Sequence, residues 1–100
     1  MDRTPTIEQQ SRFSGLIAQL EEIKNDVNAF NKDWKAKHGT SHFKAYNLSS
    51  EIYQKIQFYK GEFARKFADK EEVLRKLNDS VKYYKETADR VKKERPITAL

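Results

Sequence analysis

The chain contains no cysteine. A disulfide framework, a thiolate nucleophile and a cysteine-ligated metal are therefore excluded. Proline occurs twice and glycine three times in 100 residues. So little turn chemistry leaves few places for the reversals of a β-sheet protein. With 35% charged and 37% hydrophobic residues, the balance favours long helices. No apolar run approaches the ~18 residues of a membrane span. The first twenty residues lack the charged-then-apolar layout of a signal peptide. These absences predict a cytoplasmic protein without a membrane span, and they leave export by a route without a cleaved leader open. A run of five or six like charges, the mark of an interaction tail, is also missing.

The apolar residues that are present are periodic, and 12% of the chain is aromatic, so full disorder is excluded. The length bounds the answer to a single domain, residues 1–100. The net charge of +5 is unevenly placed. Residues 1–40 carry six acids and six bases, so the whole excess lies in residues 41–100. Such a balance supports attraction to an acidic surface.

Phe13, Leu16, Leu20, Ile23, Val27, Phe30 and Trp34 follow one another at alternating spacings of three and four. This is an a/d heptad seam, the pattern of a helix that lies along another helix. The helix is expected over about residues 6–37, started either by Thr4-Pro5 as N-cap and first-turn proline or by Thr6 and Gln9 as a capping box, with Gly39 as terminator. A connection over 38–48 follows, in which Phe43 and Tyr46 fold back over the hairpin end. Trp34, the last seam residue, is expected under Phe43, Tyr46 or Ile52.

Ser49 has the chemistry of an N-cap for a long second helix over about 50–95, ended by Pro96. Its seam reads Tyr53, Ile56, Lys60, Phe63, Phe67, Lys70, Leu74, Leu77, Val81, Tyr84, Ala88 and Val91. Ile52, Tyr59 and Val73 widen the stripe. The fold class is all-α, an antiparallel helical hairpin with coiled-coil heptads. A three-helix bundle is the alternative. Asp69 and Glu72 stand three apart, as an N-cap and its acidic N3 residue do, and would break the long helix near Ala68.

No nucleophile motif, glycine-rich phosphate loop or zinc-protease signature occurs. His38 and His42 have the spacing of a two-histidine metal face, but Gly39 lies between them and no acid within four residues completes a site. No catalytic, cofactor-binding or metal-ligating residue is assigned, and the expectation is a non-enzymatic interaction or scaffold protein that acts by helix association.

An antiparallel hairpin pairs the first helix with residues up to about Ser80, leaving the rest of the seam without an intrachain partner. Val81, Tyr84, Ala88 and Val91, with the nearby cations Lys82, Lys85, Arg90 and Lys92, are therefore the expected partner-binding residues. The partner would be a second copy of the chain or another helical protein. The competing class is a basic nucleic-acid-binding helical protein, for which Phe58 and Tyr83, both off the seam, are the candidate stacking rings.

Trp34, then Gly39, then Phe43 give the chain an outline that resembles the small WxG-type helical hairpins exported by type VII secretion systems. Trp34 here is followed by Lys-Ala-Lys-His before the glycine. The segment Tyr84-Lys-Glu-Thr-Ala-Asp89 resembles that family's tyrosine–acid export signal, with a spacing of five in place of four. The resemblance implies a small exported two-helix hairpin without a cleaved leader.

Overall fold

The computed structural model describes residues 3–93. Helix α1 spans Ile7–His38, α2 Phe43–Ala64 and α3 Lys70–Lys93. The all-α class is as expected. The chain forms a three-helix bundle, so the long second helix is divided in two.

Helix α1 starts and stops where its residues predict. The Thr6 hydroxyl accepts from the Gln9 backbone at 3.0 Å, and the Gln9 side chain accepts from Thr6 N at 3.0 Å. Gly39 takes φ 78°, the left-handed conformation that glycine adopts without a Cβ clash. Its N–H reaches back to Lys35 O at 2.8 Å.

The connection is shorter than the expected 38–48, because His42 caps α2. The His42 Nδ1 accepts from Ala45 N at 3.1 Å, while its own N–H donates to Asn31 Oδ1 at 2.6 Å. Ser49 is consequently not a cap. It is buried inside α2 and donates its hydroxyl to Tyr46 O at 3.1 Å. The first turns of α2 bury Ala45, Leu48 and Ser49, and with Ala45 small and Ser49 polar little apolar period is there to read.

The break in the predicted 50–95 helix lies at residues 65–69. Arg65 turns to φ −63°, ψ 134°, which ends α2. The Asp69 carboxylate accepts from Glu72 N at 3.3 Å and so starts α3, as the bundle alternative requires. Lys70, an apparent interruption of the seam, is only 5% exposed. Its ammonium donates to Phe63 O at 2.7 Å and to Arg65 O at 2.6 Å. It thus gives the Phe63 carbonyl a donor and joins the Ala68 N–H on Arg65 O, at the helix end where a cation is favoured. The heptad phase is equal on both sides because Phe63 and Lys70, seven apart, both face the common interior. The helix end expected at Arg95–Pro96 lies outside the described residues.

Helix α3 runs parallel to α1. Arg12 pairs with Glu71 at 3.0 Å near one end, and the Lys92 ammonium pairs with Asp26 near the other. Helix α2 runs antiparallel to both, in a bundle of 62 × 18 × 17 Å. Leu20, Val27, Ile52, Ile56, Leu74 and Leu77 are the largest fully enclosed side chains. The Phe13 and Phe63 rings stack at 4.1 Å. Because α1 faces two helices, its buried stripe extends past the seam to Ile17, while Phe13, Leu16, Ile23 and Phe30 are half-buried at its margin. Three expected seam residues lie outside: Phe67 is in the α2–α3 turn, Tyr53 is exposed beneath the Lys24 ammonium, and Lys60 is exposed. Lys60 reaches Glu21 at 4.0 Å.

Leu20→Ala should cost about 2–5 kcal/mol, as truncation of an enclosed leucine does. Chemical denaturation measures it, and a loss under about 0.5 kcal/mol would place α1 outside the core. Gly15 sits in the middle of α1 with no atom within 4 Å of a Cβ built on it. Gly15→Ala should therefore stabilise by about 0.5–1 kcal/mol and raise the melting temperature.

Candidate interaction surface

The four apolar residues expected to meet a partner are inside the chain. Val81, Tyr84, Ala88 and Val91 are buried. The turn at 65–69 brings α3 back along α1, so the positions that a hairpin would leave bare lie against the chain's own helices. The Tyr84 hydroxyl donates to Glu51 of α2 at 2.5 Å. Burial, and then this bond, push the Tyr84 phenol above the ordinary tyrosine range.

The four cations expected beside them have separated roles. Lys92 is half-buried and paired with Asp26 of α1. Arg90 donates to Thr87 Oγ1 at 3.2 Å on its own helix. Lys82 and Lys85 are exposed. Lys85 shares the rim of an open α1/α3 groove with Glu22, Asp26 and Asp89, above a floor of Ile23, Val81 and Ala88. Acids from α1 thus offset part of a cluster that looks purely basic along the sequence.

Titratable groups elsewhere are held by neighbours on the surface. Hydrogen bonds from Gln9 and Arg12 lower the Glu71 carboxyl below its ordinary range, and Arg75 does the same for Glu72. Neither is enclosed or set beside a nucleophile. Among the described residues no three His, Asp or Glu side chains gather as a metal site. His38 and His42 instead flank Trp34, with ring centroids 4.1 and 4.6 Å away, and Phe30 completes the cluster. Trp34 is therefore covered by histidines and Phe30, and not by the expected Phe43 or Tyr46.

Phe43 is 77% exposed, and Tyr46, three residues on, is also exposed. They stand at the end of the bundle where α1 gives way to α2. Phe43 and Tyr46 therefore do not fold back over the turn as expected. The missed signal was His42, whose acceptor nitrogen starts α2 and makes Phe43 its first residue. Phe58 and Tyr83 are exposed as expected of residues off the seam. Their neighbours Tyr59 and Ser80 join α2 to α3 through a 2.6 Å hydroxyl contact, and the Lys55 ammonium lies 5.6 Å from the Phe58 ring.

Among the described residues no helix is long and apolar enough to cross a membrane. No protein-family model matches the chain, and neither the curated proteins nor the solved structures give a match. Of the residues that carry the resemblance to exported hairpins, Gly39 ends α1 and Phe43 begins α2, while the Tyr84 side chain is enclosed and Asp89 is exposed. The third helix is additional to a two-helix outline.

An ultraviolet titration should show a component above the ordinary tyrosine range, and Tyr84→Phe should remove it. The sign follows from a folded-state value above the unfolded one. The stability contributed by the neutral, bonded phenol is fully present below the ordinary tyrosine value of about 10 and declines as the pH rises above it. A titration unchanged by Tyr84→Phe above that range would show that Tyr84 is not enclosed.

Proposed function

We propose that the protein is a non-enzymatic helical interaction module that folds as a single chain and binds a macromolecular partner through its outer surface. One observation carries this reading: the three helices enclose their own seam, while the large rings Phe43, Tyr46, Tyr53, Phe58 and Tyr83 remain exposed. Large exposed rings cost solvation that folding does not require, and they are the residue types that anchor interfaces. The grooves between the helices are open and rimmed by charge, which suits a contact surface better than a chamber that excludes water from a reaction.

The case for a second copy rested on a seam without a partner beyond residue 80. Helix α3 removes that need by packing its buried face on α1 and α2. Sedimentation equilibrium across micromolar concentrations should therefore return the mass of one chain. A concentration-dependent dimer would restore self-association as the function.

Nucleic-acid binding is the second reading, favoured by Phe58, Lys55 and Tyr83 beside the α2/α3 junction. It requires binding of a single-stranded oligonucleotide that weakens steeply as salt rises. Absence of binding at low salt would remove it.

A further inference from the structure

Several cations on the body of the bundle have carboxylate partners. Arg3 meets Asp69, Arg12 meets Glu71, Lys60 meets Glu21, Arg65 meets Glu62, Arg75 meets Glu72 and Lys92 meets Asp26. The end formed by the close of α1 and the start of α2 is poor in carboxylates. Between Val27 and Ser50 Asp33 is the one carboxylate, against Lys32, Lys35, Lys37 and Lys44. Lys32, Lys35 and Lys37 are exposed, and none of the three has an ion pair among the described residues. Gly39 and the His42 cap close the turn within four residues, so both groups of lysines gather at one convex tip.

Phe43 projects from the same tip, with Tyr46 beside it and the exposed hydroxyl residues Thr40 and Ser41 in the turn. Cations with long apolar stems around a protruding aromatic ring match a surface that is anionic outside and apolar a few ångströms below. Interfacial aromatics prefer that depth.

We propose that this tip docks on an anionic phospholipid surface, with Phe43 entering the headgroup boundary and Lys32, Lys35 and Lys37 lying on the phosphates. The charge decides that the occupant is anionic, and the shape decides its kind. Single-stranded nucleic acid is tracked by a basic groove, whereas Phe43, 77% exposed, stands out from this end. A deformable surface can close around a convex apex.

Co-sedimentation of the full chain with vesicles tests this. Vesicles of phosphatidylcholine with about one-third phosphatidylserine should bind at least ~10-fold more strongly than phosphatidylcholine alone, and binding should fall with salt. Phe43→Ser and the pair Lys35→Glu/Lys37→Glu should each weaken binding by about tenfold or more, while Lys82→Glu/Lys85→Glu on the body changes it by less than about threefold. Circular dichroism confirms that each variant is folded, which exposed positions permit. Equal binding to neutral vesicles, no binding at low salt, or equal loss in the body variant would overturn the proposal. Loss of oligothymidine binding in the tip variants, with the vesicles ignored, would overturn it in favour of nucleic acid.

Discussion

The ammonium of Lys70 lies against the carbonyls of Phe63 and Arg65, and the architecture depends on that contact. A helix that stops inside a protein leaves carbonyls without partners. Burying a lysine carries a comparable difficulty, since its charge loses water. Here each group resolves the other's problem. Asp69 adds the complementary device on the other side, accepting from the first turn of α3. A long continuous helix thereby becomes two helices, and α3 is directed back along α1.

That reversal redistributes both the apolar surface and the charge. The seam through Val81, Tyr84, Ala88 and Val91 becomes part of one interior. The cations near the end of α3 come beside acids of α1, with Lys92 on Asp26 and Lys85 near Glu22. The basic cluster of the C-terminal helix is thus partly balanced by residues far from it along the chain. Around the α1/α2 turn, by contrast, Asp33 is the one carboxylate between Val27 and Ser50. An even balance over residues 1–40 hides that asymmetry, because its acids lie mostly before Val27.

Trp34 illustrates how one end of the bundle is built. A tryptophan at the last seam position needs cover, and two histidines and Phe30 supply it from the last turns of α1 and the cap of α2. His42 has a double role there, since its ring packs on Trp34 while its Nδ1 accepts from Ala45 N. With those positions filled, Phe43 and Tyr46 are left facing outward. The exposed rings are therefore a consequence of how the turn is closed, and their placement among lysines gives the tip its chemistry.

The sequence by itself determined the all-α class and the course of α1. The seam of α1, its Thr6–Gln9 capping box, its Gly39 terminator and the burial of Leu20, Val27, Leu74 and Leu77 all follow from local periodicity and cap chemistry, which act within a few residues. Tertiary structure decided the rest. Whether Asp69 starts a helix or sits within one depends on Lys70 finding the carbonyls of α2, and a heptad phase that is equal on both sides carries no sign of the break. Which cations are balanced depends on which helix lies beside them, as Asp26 shows for Lys92. Periodicity records which face of a helix is apolar; only packing records what that face meets.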